Sequence, residues 1–302
     1  MKKKTVRRAF AVLAAAGLTA LSVGFLAGCD TDHPEITITY EFNGKEYEVD
    51  YTLTREAAPQ TVRHFLELAD AGYYEGMCIH DYDASFMHTG GYYFDEHGEL
   101  KEKDYFTEVK RLEEEKGLKF TQSVFHTDND AADKKGEGMY TVYGEMKDNG
   151  YNYMGSRYSH TQGALVMYFP EKGSYSGTVT TIRNDNGKYQ SGSQYKYNCA
   201  TAQFYTYLSD NASSKLDENY CVFGMAKKYE EQMTNGLLQA IADYKADHAD
   251  DDGFEFTSEE TVDLNQYDPI EDVKFAYVRD TFNVPMNADA RIIVKKIKVN
   301  KY

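Results

Sequence analysis

The sequence predicts a mainly β fold: an antiparallel barrel, closed or nearly closed, capped by two α-helices and extended by added loops and hairpins. Three observations predict it. Short runs of alternating apolar and polar residues recur along the chain, two segments carry helical spacing instead, and long polar stretches interrupt this pattern without disturbing its order.

Alternation begins with Ile36, Ile38, Tyr40 and Phe42 and resumes with Tyr47, Val49, Tyr51 and Leu53 after Asn43-Gly44. Two such runs around Asn-Gly read as a β-hairpin. Pro59 then opens a segment whose Val62, Phe65, Leu66 and Ala69 share one helical face, and Gly72 stops it. From about Tyr92 to Met139 the chain is polar and charged, with one short helix expected from Phe106 to Lys116 and a loop over Asp128 to Asp133, so this stretch reads as an insertion. Strand-like residues return at Tyr140 to Tyr143 and at Ala164 to Phe169. The Gly-, Ser- and Tyr-rich stretch from Pro170 to Tyr197 reads as an added hairpin, with a strand at Thr178 to Ile182 and a turn at Asn186-Gly187. Strand signals at Gln203 to Leu208 and Tyr220 to Phe223 lead to a second helix, whose apolar face holds Met233, Leu237, Leu238 and Ile241. A charged insertion from Lys245 to about Asp280 follows, and Ile292 to Val299 closes the chain as a half-buried strand.

The front of the chain is of a different kind. Lys2, Lys3, Lys4, Arg7 and Arg8 precede an apolar run from Ala9 to Ala27, the pattern of a signal peptide. It ends in Leu26-Ala27-Gly28-Cys29, which resembles the lipobox of bacterial lipoproteins. That resemblance implies cleavage before Cys29 and a diacylglycerol on its sulfur. The expected organisation is therefore a signal peptide over 1–28, a lipidated tether over 29–34, and one domain over 35–302 with insertions at about 92–139, 170–197 and 245–280. The implied location is the outer face of the cytoplasmic membrane or another cell-envelope membrane.

Residues 1–28 hold five of the 33 basic residues and none of the 49 acidic ones, so the mature chain sets 28 against 49, a net charge of −21. Nucleic acid is excluded as a partner on that ground, and the protein is expected to be a monomer. Beyond Cys29 the odd set Cys78, Cys199 and Cys221 argues against a disulfide framework. Buried thiols, or one bridge between Cys199 and Cys221, remain. Residues 248–253 with Glu259 have the loop spacing of an EF-hand, but His248 at its first position and Glu255 at its eighth make it a solvated acidic loop. Without CxxC, HExxH or glycine-rich phosphate motifs, no metal or cofactor is expected.

The stretch from Pro59 to Gly91, PQTVRHFLELADAGYYEGMCIHDYDASFMHTGG, resembles the cyclophilin segment in which a helix of type "APxTVxNFxxLxxxGYYDG" leads to "FHRxxxxFMxQGG". Further blocks follow in the family's order: Tyr143-Gly144-Glu145, then His160 to Met167 (HTQGALVM), then Asn198 to Tyr205 (NCATAQFY), then Leu216-Asp217 and Val222-Phe223-Gly224. The resemblance implies a peptidyl-prolyl cis-trans isomerase acting on proline-containing polypeptides. Such enzymes hold a proline ring in an apolar pocket, bond the substrate backbone with a Gln, and assist the prolyl nitrogen with an Arg, the group that favours the twisted amide over the ground state.

Carried across by motif, Phe86, Met87, Tyr205 and Leu216 would form the pocket and Gln203 would bond the backbone. The departures cluster at the same place. Asp81 stands where the catalytic Arg is expected, Thr89 replaces a Gln, Phe169 lies near a substrate-contacting Asn, and Tyr220 replaces a His. An ionised Asp81 has no proton to donate. Arg157 or Arg183 reaching in from flanking loops, or an Asp81 kept protonated by burial, would restore a donor. His80 reads as a structural histidine, because amide rotation needs no proton transfer. Two functions stay open on these residues: a weakened isomerase helping exported proteins fold, or an inactive module that binds proline-containing peptides or an envelope partner.

Overall fold

The computed structural model describes residues 32–120, 123–126, 138–139, 142, 144–146, 159–168, 178–183, 188–194, 200–210, 220–261 and 281–302. The leader with Cys29, the Asp128–Asp133 loop, Arg157, Phe169, the Asn186-Gly187 turn, Cys199 and Leu216 lie outside these residues.

Strands β1 (Glu35–Phe42) and β2 (Lys45–Leu53) pair in unbroken register from Glu35↔Thr52 to Phe42↔Lys45. The two loop residues, Asn43 (φ 47°) and Gly44 (φ 69°), take the left-handed backbone that a two-residue hairpin needs. Helix α1 (Pro59–Asp70) follows with Pro at its start, burying Val62, Phe65, Leu66, Leu68 and Ala69. Ala58 has no side chain to cap it, and Glu145 does the work from a distance: its carboxylate accepts the Gln60 and Thr61 N–H groups at 3.1 and 2.8 Å.

The short strands β3 (Met77–Cys78), β4 (Asp81–Tyr82) and β5 (Phe86–Thr89) come next. With β10 (Ala164–Met167), β13 (Phe204–Tyr207), β14 (Cys221–Ala226) and β17 (Ile292–Lys301) they complete a curled nine-stranded antiparallel sheet in the order β3-β17-β1-β2-β14-β10-β13-β5-β4. Its two edge strands are neighbours in sequence. Ile79 donates its N–H to Ile292 on β17 (2.8 Å), while the next residue, His80, donates to His88 on β5 (3.0 Å). Chain continuity through 77–82 thus joins the two edges of the curl where no strand ladder does.

The interior is aromatic. Phe65 of α1 packs on Phe223, Tyr74 and Phe204 at 4.9 to 5.3 Å between ring centroids. On the far side a π-helix over Tyr229–Leu238 runs into α3 (Gln239–Asp247). Its wider turn puts residues four apart in line, so Met233, Leu237 and Ile241 are buried while Leu238, expected on the same face, is only half-buried. Cys78 and Cys221 are buried free thiols, with Cys221 in line with the Thr61 hydroxyl at 3.8 Å.

The polar stretches fold as accessories. A hairpin of β6 (Tyr92–Phe94) and β7 (Leu100–Glu102) leads to helix α2 (Tyr105–Lys116), capped by Asp104 on the Thr107 N–H and ended by left-handed Gly117. Strands β8 (Ser123–His126) and β9 (Gly138–Met139) join β11 (Thr178–Arg183) and β12 (Lys188–Gln194) in a second sheet ordered β12-β11-β8-β9. Alternation along the sequence did not separate out the last accessory, a ribbon of β15 (Ser258–Thr261) and β16 (Thr281–Val284) that pair only with each other. Among the described residues no helix is long and apolar enough to cross a membrane.

Candidate functional site

Strand β5 lies between β4 and β13, and the register sorts the motif residues onto two faces. Asp81, His88 and Tyr205 are directly opposite one another across the three strands, as are Tyr82, Met87 and Thr206. Side chains opposite each other share a face. Met87 is fully buried in the main core, the cluster that also holds Phe204 and Phe65, so it packs the interior instead of joining Phe86 in an outer pocket. Thr89 is also withdrawn, because its hydroxyl donates to the Cys78 carbonyl at 2.8 Å.

The outer face is a strip of aromatic rings. Phe86 meets Tyr205 edge-on at 5.1 Å, and Tyr220 stands 6.5 Å from Tyr205. These three are half-buried and form a floor open to solvent. Further along, His88 stacks within 4.2 Å of Tyr205 and 4.7 Å of Tyr168, and His80 sits 4.3 Å from His88 and 4.6 Å from Tyr92. Gln203 shares this polar half but is only 4 % exposed. Its amide fills the space beside Gly91, where a Cβ would come within 2.7 Å of Gln203 Cδ and Nε2.

Burial sets the electrostatics. Loss of water lowers the His80 pKa from 6.5 to about 3, against the smaller, opposite effects of the Cys78 carbonyl and the Gln203 amide. Neither ring nitrogen of His80 has a well-aligned hydrogen bond, so packing holds this neutral imidazole in place. The Tyr205 hydroxyl is raised well above its usual range, first by burial, with the neighbouring Asp81 charge adding to the effect. Asp81 itself is 1 % exposed, and its Oδ1 accepts the backbone N–H of Asn283 at 3.0 Å. Arg291, ahead of β17, directs its guanidinium to the Met286 and Gly98 carbonyls and over the Phe94 ring.

Phe86, Tyr205 and Tyr220 thus converge on one face with Gln203 and Asp81 beside them, while Met87 lies on the other. Sequence reading missed Tyr168, His88, Phe282 and Asn283. The only local sign of the last two was the brief alternation of Phe282 and Val284. Among the described residues no group of three or more His, Cys, Asp or Glu could hold a metal, and His248 of the acidic loop is engaged by the Tyr244 carbonyl at 2.8 Å and by the Phe254 ring.

No curated protein sequence matches the chain. Among solved structures, a Cryptosporidium parvum cyclophilin type peptidyl-prolyl cis-trans isomerase aligns at 14 % identity over 89 % of this chain and 99 % of its own, with a TM-score of 0.37. The same protein in the presence of the dipeptide Ala-Pro aligns with a TM-score of 0.36, and the Mimivirus cyclophilin aligns at 10 % identity over 91 % of this chain and 93 % of its own, with a TM-score of 0.38. The family model described as cyclophilin type peptidyl-prolyl cis-trans isomerase/CLD matches residues 37–253, ending before β15. Spanning well over half of the sequence, that match means the chain belongs to the cyclophilin-type peptidyl-prolyl cis-trans isomerase family.

Proposed function

We propose that this protein binds proline-containing exported polypeptides at a membrane surface and isomerises their prolyl bonds slowly. The observation that carries the reading is the open floor of Phe86, Tyr205 and Tyr220, a set of rings to receive a pyrrolidine, with the Gln203 amide beside it. Leu216 and Phe169 are assigned to the same pocket by motif alone. Spontaneous prolyl rotation crosses a barrier of roughly 18–20 kcal/mol. A family member lowers it by donating to the prolyl nitrogen, and Asp81 faces a donor instead of being one.

A missing charge-assisted hydrogen bond is worth about 1.5–3 kcal/mol, so turnover should fall roughly ten- to more than a hundredfold below that of a cyclophilin with the arginine. A protease-coupled assay on a prolyl tetrapeptide measures it. Acceleration that disappears in Tyr205→Ala supports the reading, and a protein that neither accelerates the exchange nor binds the peptide rejects it. One observation favours a second reading, a binding module without turnover: Asp81 is buried and already engaged by Asn283. Binding without acceleration would decide for the module.

Anchoring through a diacylglycerol on Cys29 is part of the proposal, supported by the Leu26-Ala27-Gly28-Cys29 motif after a basic and apolar leader. Full-length protein should partition into the membrane fraction and Cys29→Ala protein should accumulate unprocessed. Equal processing of both would remove the anchor from the account.

A further inference from the structure

We propose that β16 is a built-in cover for the polar half of the outer face, docked on Asp81, so that the chain regulates access to its own prolyl site; this rests on the prolyl-binding reading above. The Asn283 N–H reaches Asp81 Oδ1 at 3.0 Å across 202 positions of sequence. Phe282, 5 % exposed, lays its ring 5.0 Å from His80, 5.4 Å from Tyr92 and 6.2 Å from His88. Val284 is buried with Cys78 and Tyr92. The other residue of β4 is covered from the same part of the chain, since Tyr82 meets Phe256 at 5.2 Å and Lys245 Nζ lies over both rings.

The way β16 is held marks it as a cover. Strand β4 ends the nine-stranded sheet, yet β16 is not laddered to it: the ribbon pairs with β15 and reaches the barrel through the Asp81 carboxylate and the Phe282 ring. Such a ribbon can lift while every barrel ladder stays intact.

Asp81 suits this task for the reason that it does not suit catalysis. A carboxylate accepts a backbone N–H, whereas an arginine here would set donors against the Asn283 donor. The residue that departs from the family pattern is the one that holds the ribbon down. With β16 docked, Phe86, Tyr205 and Tyr220 stay accessible, but the His80–His88 end, on which Phe282 lies, does not. Apparent peptide affinity then scales with the fraction of molecules whose ribbon has lifted.

The chain has no tryptophan, so Phe282→Trp places a sole indole reporter on the ribbon. In the full-length protein its emission should be blue-shifted, and should move to the red when Asp81→Ala removes the acceptor. The probe is a capped Ala-Ala-Pro-Phe peptide. Asp81→Ala and, independently, Phe282→Ala should tighten its binding about five- to tenfold, with amide exchange accelerating at Thr281–Val284 and unchanged in β17. A released ribbon with no change in the affinity of a peptide that the unmodified protein binds would overturn the cover and leave the prolyl reading standing. So would ribbon amides that already exchange as fast in the unmodified protein. Peptide binding by none of the forms, with the indole showing docking and release, would reject the prolyl reading and the cover with it.

Discussion

His64 and His80 are both fully buried, and their surroundings accommodate them differently. At α1, His64 Nε2 lies 2.9 Å from the Thr201 carbonyl and 3.0 Å from the Tyr105 hydroxyl, so a hydrogen bond accompanies burial. At the outer face His80 is equally buried but lacks an aligned partner: the Cys78 carbonyl and the Gln203 amide lie near it, and the rings of His88, Tyr92 and Phe282 pack against it. The first arrangement fixes a helix to the barrel. The second draws one of its ring contacts, Phe282, from a ribbon that pairs with no strand of the barrel.

Acid acts on both histidines. Burial lowers His64 from 6.5 to about 4 and His80 from 6.5 to about 3. Both imidazoles are neutral in the fold, while the unfolded chain takes up protons below pH 6.5, so falling pH favours unfolding. Each such histidine contributes a slope of about 1.4 kcal/mol per pH unit, or roughly 4 kcal/mol for the pair between pH 6.5 and pH 5. This stability is fully present above pH 6.5 and is lost as the pH falls towards 4 and 3. Urea titrations at pH 7 and pH 5 check the loss. They also separate the sites: His64→Leu strands the Thr201 carbonyl and should cost about 1–3 kcal/mol at pH 7. His80→Leu removes no aligned bond and should cost less than about 1 kcal/mol at pH 7, while removing half of the acid sensitivity. Equal costs at pH 7 would mean that the two environments do not differ as drawn.

Much of the barrel was legible because its determinants are local. Asn43-Gly44, Pro59 and the alternation of β1, β2 and β17 each act within a few residues. The aromatic pair Phe86 and Tyr205 could be placed on one site because motif blocks fix strand identity. Strand register, which turns Met87 inward, depends on partners that the motif does not name. The same holds for Glu145, which caps α1 from 84 and 85 positions away, and for Asn283 on Asp81. Such contacts leave no periodic trace, so Asp81 reads in the sequence as a lost arginine and in the fold as an acceptor already in use.

The paired glycines after β5 give the sharpest contrast, and the second of them, Gly91, a small effect on stability. Gly90 has φ +93°, and a Cβ there would lie 2.4 Å from the Ala202 carbonyl oxygen. Backbone cannot step aside, so Gly90→Ala should cost about 2–4 kcal/mol. At Gly91 the obstacle is the end of the Gln203 side chain, 2.7 Å away, which can rotate out. Gly91→Ala should therefore cost about 1 kcal/mol or less in stability while displacing the amide that is assigned to the substrate backbone. Thermal unfolding, together with the side-chain amide resonance of Gln203, reads both effects. A shifted resonance with weakened peptide binding in a stable protein places Gln203 among the movable parts of the outer face, with His80. A Gly91→Ala protein as unstable as Gly90→Ala would instead make that glutamine a fixed part of the fold, as His64 is at α1.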